Sequence, residues 1–266
     1  MKLKTYIAEF IKSYWKTLLF FAIVGFIGGY FVGVYSLNGY PEDMKAQLIE
    51  EIDKAGVGGI PADILLGVIM AVQSLGYGVI LGAFGIFFAK RTGLWKDEIS
   101  ISKKPLLSSV IVSVFGGLML ILPDILWFAN YSDAIKDSYA SKPTADYIIA
   151  TVTYGAVIEE VMLRLFAMSL IAFVLHKIFE KSKDVPSEWV FIVSNVISAL
   201  LFALGHLPAT FIMIGDSPLV IFRCILLNGV FGLLFGWLYR KYGLRYSMIA
   251  HGGCHIISKL IWVLFI

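Results

Sequence analysis

Ile158-Glu159-Glu160-Val161-Met162-Leu163-Arg164 decides how this chain folds. The stretch lies inside an apolar run from about Tyr147 to about Leu175. A run of that length spans a bilayer as one helix. Carboxylates and guanidinium groups within hydrocarbon cost several kcal/mol each, so they persist where they face protein or water, and they mark sites. Neighbours on an α-helix point roughly 100° apart, so Glu159 and Glu160 cannot share a direction. Glu160 and Arg164 are four apart with the acid first, the favoured ion-pair geometry. That pairing leaves Glu159 to face something else.

Composition extends this reading to the whole chain. Of its 266 residues 59% are hydrophobic and only 15% charged, and the mean hydropathy is +0.83. Soluble domains carry about 25% charge. The expectation is one all-α polytopic membrane domain, with seven or eight transmembrane helices, seven on our count, around an intramembrane cavity. A net charge of +3 is too small to argue for nucleic acid. The partners expected are the lipid bilayer and a membrane-associated peptide or protein. Cys224 and Cys254 fall in apolar runs and imply no disulfide framework. The sequence leaves the oligomeric state open.

Seven spans can be placed. Residues 1–16 are amphipathic and lysine-bearing, and an apolar run follows from Thr17 to about Tyr35. That run is too long for a signal-peptide core, so it reads as the first span. Gly25, Gly29 and Gly33 recur every four residues, which suits close helix packing. The first loop, residues 37–61, holds either an amphipathic surface helix from Pro41 to Gly56 or a solvated acidic connector. Spans two and three run from about Ile64 to Ala89 and from about Leu106 to Ala129. In the third, Asp124 beside Pro123 reads as a helix-end polar group at a kink, in preference to a functional one. Span four carries the paired glutamates. Span five starts near Val190 and extends to Ile214 with a kink at Pro208, because Gly215-Asp216-Ser217-Pro218 is the better turn. Span six runs from about Leu219 to Tyr239, with Gly232 and Gly236 at packing spacing, and span seven from about Tyr246 to the end. Arg223 and Lys259, inside spans, are expected to snorkel toward the outer face.

Basic residues orient the bundle. One side collects the four lysines before the first span, then Lys90, Arg91, Lys96, Lys103, Lys104, Lys177, Lys181, Lys183, Arg240, Lys241 and Arg245. The other holds only Lys45, Lys54, Lys136 and Lys142. The positive-inside rule then predicts an integral protein of the cell membrane with a cytoplasmic N-terminus and an external C-terminus. At 1.5 Å per residue, Glu159, His206 and His251 fall in one slab about 10 Å thick.

Three of the four histidines, His206, His251 and His255, lie within spans, and His251 and His255 share a helical face. A buried glutamate can act as general base toward water, one imidazole can hold the same water, and a second can donate to a developing oxyanion. That set suits peptide hydrolysis without a covalent intermediate. No serine sits in a nucleophile elbow, and no His-Glu-x-x-His motif occurs. One glutamate and two histidines (Glu159, His206 and His251) could also ligate zinc, the only cofactor the residues suggest. The non-enzymatic rivals are a proton- or cation-coupled transporter using a Glu/His relay, and a non-catalytic binding or immunity protein. No internal repeat supports the transporter.

Glu159-Glu160-x-x-x-Arg164, Phe202-x-x-x-His206, and His251 with a polar residue four later resemble the CPBP family of intramembrane proteases. That family includes type II CAAX prenyl endopeptidases and bacteriocin-processing or immunity proteins. The resemblance covers about residues 150–257, within a core at 146–266. Residues 1–145 carry no matching motif. It implies an endopeptidase acting on a prenylated CAAX-type or bacteriocin-leader-like peptide. By resemblance Glu159 activates water with His206, Glu160 and Arg164 shape the site with Phe202, and His251 stabilises the oxyanion. The family usually has asparagine where this chain has His255, which puts that position's role in question.

Overall fold

Apolar runs punctuated by proline and glycine set the helix boundaries. A computed structural model describes residues 3–56, 59–96 and 101–266. Lys2 and the side chain of Lys4, two of the basic residues used for orientation, lie outside the description. The first helix, α1, runs Leu3–Gly39 without interruption. The lysine-bearing start is thus part of the first span and not a separate amphipathic segment. At 1.5 Å per residue α1 is about 55 Å long, well beyond a ~30 Å hydrocarbon core. Pro41 precedes a short helix, α2 (Glu42–Lys54), which buries no residue and is the surface helix expected in the first loop. Pro61 precedes α3 (Ala62–Thr92), which widens through one π turn at Tyr77–Leu81 and stops at Gly93, whose φ of 75° makes a left-handed cap. Helix α4 (Lys103–Leu126) follows, then a short α5 (Asp133–Asp137).

Residues 145–179 form one long rod, α6. After it come α7 (Glu188–Gly205), α8 (Leu207–Met213), α9 (Pro218–Tyr242) and α10 (Leu244–Phe265). The kink expected at Pro208 in span five is a one-residue break at His206, and the rod resumes at once as α8. Proline at the start of α8 and α9 suits a position that needs no N–H donor.

Among the described residues, six helices are long and apolar enough to cross a membrane: α1, α3, α4, the α7–α8 rod, α9 and α10. The chain is an integral membrane protein. Rod α6, with three charged residues in its middle, is not among the six, yet the packing gives it the place of a seventh crossing. Glycines carry the first contact. A methyl group on Gly25 would lie 2.7 Å from the Ser74 carbonyl oxygen, and one on Gly33 2.5 Å from that of Leu66, so α1 and α3 run antiparallel in close contact. Helix α1 meets α6 in the same sense: Gly28 backs onto Tyr154, and Tyr35 stacks on Tyr147 at 4.4 Å. Helices α4 and α10 run parallel, with Ser109 donating to the Tyr246 carbonyl and Ser113 to that of Ala250. Gly232 and Gly236 face Ala199 and Asn195, which makes α7 and α9 antiparallel. These directions are those of seven alternating crossings.

Two polar clusters fasten the ends. At one, buried Asp124 receives both Arg223, as an ion pair, and the Tyr139 hydroxyl, at 2.6 Å. Arg223 therefore does not snorkel, and Asp124 is the counter-ion that keeps it in place. At the other, Glu180 in the α6–α7 connection accepts hydrogen bonds from Lys183 Nζ (2.8 Å), the Ser187 N–H (2.8 Å) and the Trp189 indole (2.9 Å). The Lys183 hydrogen bond, then the backbone one, lowers the Glu180 pKa to about 2. A depressed carboxyl pKa contributes stability above the unfolded value, about 4.3, and loses it as pH falls through the folded value. The melting temperature of wild type in detergent should therefore drop between pH 5 and pH 2.5 by more than that of Glu180→Gln. Equal slopes for the two proteins would show that this cluster stores no pH-dependent stability.

Candidate functional site

The site grows from a change of winding inside α6. Thr151–Glu159 and Val161–Met168 are wound as π-helix, with i→i+5 hydrogen bonding. The wider turn alters the expectation drawn from a 3.6-residue period. Residues four apart no longer stack directly over one another, and the Arg164–Glu160 ion pair is 3.4 Å long. Two Arg164 nitrogens, Nε and Nη1, lie buried without a hydrogen-bond partner, while Nη2 donates to the Gly232 carbonyl at 3.3 Å. The guanidinium instead lies over two aromatic faces, 4.5 Å from Phe202 and 5.4 Å from Phe235.

Glu160 is fully buried, and its hydrogen bonds come from α10. Oε1 lies 2.9 Å from His251 Nδ1, and Oε2 accepts from the Ser247 hydroxyl. The Glu160–Arg164 pair expected from spacing exists, but it alone does not account for Glu160. A carboxylate can only accept, so His251 Nδ1 is the donor and Nε2 presents a lone pair when the ring is neutral. That Nε2 faces Glu159 Oε2 at 3.8 Å. His206 stands at the break between α7 and α8. Its Nδ1 lies 2.8 Å from the Phe202 carbonyl, which fixes the ring proton there, and its Nε2 faces Glu159 Oε1 at 4.0 Å. Glu159 is thus flanked by two imidazole lone pairs and is 20% exposed, open enough for water.

Aromatic rings hold these groups still. Phe235 stacks on His251 at 4.5 Å, and Phe202 meets both His206 (4.7 Å) and His251 (5.8 Å) edge-on. Phe202 is therefore a wall of the site. His255 lies one turn beyond His251, with ring centroids 5.1 Å apart. Lys259, also expected to snorkel, is buried instead: its Nζ lies 3.4 Å from His255 Nδ1 and 4.2 Å from the Tyr147 ring centre. A cavity of about 40 Å³ touches all three histidines, with Phe202, Asn228 and Phe231 among its walls. Gly155, on the π-wound rod, lets the backbone approach them closely. A methyl group there would lie 3.3 Å from His255 Nε2 and 3.8 Å from His251 Nε2.

All of the residues expected to form the site converge here. Sequence reading missed Ser247, Gly155 and Phe235. Ser247 could have been found, because Ser247, His251, His255 and Lys259 repeat every four residues along one face of α10. Phe235 shows only as part of the Gly232–Gly236 stretch, and Gly155 carries no such signal.

Residues 142–257 match the family model described as type II CAAX prenyl endopeptidase Rce1-like. Over this segment, somewhat under half of its length, the chain is similar to that family. Members of the family are proteases that hydrolyse peptide bonds, and at family level the match supports an intramembrane CAAX-type endopeptidase. No curated protein and no solved structure matches the chain. The matched segment opens just before α6 and closes between His255 and Lys259, so it contains Glu159, His206, His251 and His255.

The zinc reading can be tested on spacing. Two imidazole lone pairs and a carboxylate are a plausible donor set for zinc in chemistry alone. Ligand atoms at 2.0–2.2 Å around a tetrahedral zinc stand about 3.4 Å apart. Here the separations are 3.8 and 4.0 Å, and no group of three or more such side chains stands at metal-binding geometry among the described residues. At these separations the arrangement does not fit zinc. A water hydrogen-bonded on both sides spans such gaps readily.

Proposed function

We propose that the protein hydrolyses a peptide bond of a membrane-associated substrate, a CAAX-type prenylated peptide or a leader-like peptide, using water activated by Glu159. The observation that carries this reading is a partly exposed glutamate between two histidine Nε2 atoms within the bundle. Water there donates one hydrogen to Glu159 and the other to His206 Nε2, which leaves an oxygen lone pair for attack on the scissile carbonyl. Glu159 takes the proton as the C–O bond forms and passes it to the leaving amine as the C–N bond breaks. Glu160, itself held by the Ser247 hydroxyl, fixes the His251 ring beside Glu159. The transporter reading draws no support from the repeat-free sequence. By the positive-inside rule, the end carrying Lys90, Arg91 and Arg240 faces the cytoplasm.

The test is cleavage by the purified full-length chain in liposomes. Three quenched fluorescent peptides are compared: a prenylated CAAX peptide, the same peptide without the prenyl group, and an apolar leader-like peptide. Cleavage of a membrane-bound peptide that survives a zinc chelator is the expected result. Activity abolished by the chelator and restored by zinc would replace the water-only mechanism. Proton-driven ion flux without any cleavage would bring back the transporter.

A further inference from the structure

On the protease reading just given, a hydrolytic centre needs an acceptor for the water's hydrogens and a separate donor for the carbonyl oxygen that becomes negative. The neutral rings of His206 and His251 both present acceptors, because each Nδ1 proton is committed elsewhere, to the Phe202 carbonyl and to Glu160. His255 is held in the opposite sense. Its Nδ1 faces the Lys259 ammonium at 3.4 Å. An ammonium has three donors and no acceptor, so Nδ1 must accept, and in the neutral ring the proton then sits on Nε2. Nε2 of His255 and Nε2 of His251 both lie against Gly155, and the two rings line one cavity together with His206.

We propose that Lys259 is a positioning residue that locks His255 in the Nε2–H tautomer and so makes it the hydrogen-bond donor to the scissile carbonyl oxygen. Two imidazoles one helical turn apart then offer opposite functions at adjacent atoms: acceptor at His251, donor at His255. Lys259 is 6% exposed and forms no ion pair with a carboxylate among the described residues. Its ammonium is steadied by the Tyr147 face, and Tyr147 is stacked on Tyr35 of α1. A cation without a counter-ion suits a place where negative charge develops during reaction. Lys259 also lies two residues beyond the matched family segment, so the match does not assign it.

The experiment uses the full chain in detergent micelles and four variants: Lys259→Met, Lys259→Arg, His255→Asn and the double variant His255→Asn/Lys259→Met. An asparagine amide carries its donor without a partner, so it should free the site from Lys259. Lys259→Met should lower kcat at least about tenfold with KM little changed, and Lys259→Arg should recover part of the loss. In the His255→Asn background, removing Lys259 should cost less than about threefold. Nitrogen-15 NMR of labelled histidine should place the His255 proton on Nε2 in wild type and on both nitrogens in Lys259→Met. Thermal melts of each variant separate loss of function from loss of fold. An equal loss of kcat in both backgrounds, or an unchanged His255 spectrum in Lys259→Met, overturns the proposal. If wild type cleaves none of the peptides, the protease reading and the donor role fall together, and the spectra still decide whether Lys259 sets the tautomer.

Discussion

Glu159→Gln should lower peptide cleavage by a factor of about 10²–10⁴, the usual worth of a general base, while the melting temperature stays within a degree or two of wild type. Glutamine keeps the shape of glutamate and can still bind a water, but it cannot take a proton from it. Folding should survive because a neutral amide is easier to bury than a carboxylate, and because Glu159 makes no short hydrogen bond that the fold depends on. It faces His206 Nε2 at 4.0 Å and His251 Nε2 at 3.8 Å. His206→Ala should lose a similar factor, and the double variant should be far from additive, since both residues act on one water. Near-normal cleavage by Glu159→Gln, together with loss in Glu160→Gln, would reverse the two carboxylates.

Arg164→Ala should be the most destabilising substitution at the site, by about 3–5 kcal/mol, the range for breaking a buried pair from one side. Arg164 and Glu160 are 1% and 0% exposed. Without the guanidinium, the Glu160 charge keeps only Ser247 and His251, and the Phe202 and Phe235 faces lose the cation between them. Adding Glu160→Gln to Arg164→Ala should restore part of the loss, because the orphaned charge goes with it. Thermal denaturation of the two singles and the double in detergent measures this. A double variant no more stable than either single would mean that the pair carries no coupling, and that Glu160 is held by α10 alone.

Much of the bundle was legible in the sequence because hydrocarbon imposes simple demands. Run lengths gave the spans, four-residue glycine spacing marked packing faces on α1 and α9 without naming their partners, and Pro208 with the following turn gave the break that brings His206 to the depth of Glu159. Depth put Glu159, His206 and His251 in one slab. The winding of α6 was not legible, since a 3.6-residue pattern is silent about i→i+5 hydrogen bonding, and both the long Arg164–Glu160 separation and the close approach at Gly155 lie in that wound segment. Partners far apart in sequence were equally out of reach. Ser247 lies 87 residues from Glu160, and Arg223 lies 99 from Asp124. An isolated charge in a span reads as a snorkelling one until its counter-ion, or for Lys259 its imidazole, is placed beside it.

The size of the histidine-lined cavity fixes an order of events. A space of about 40 Å³ admits at most about three solvent molecules, and no peptide group with its flanking side chains fits there. A polypeptide reaching the imidazole edges must therefore displace some of the aromatic walls, Phe202, Phe231 and Phe235, of which the last two stack on each other. Such displacement draws on binding energy from parts of the substrate remote from the scissile bond. On the prenylated-substrate reading proposed above, a long hydrocarbon tail supplies that energy in a bilayer without touching the reacting atoms, so truncating it should be felt as slower turnover as well as weaker binding.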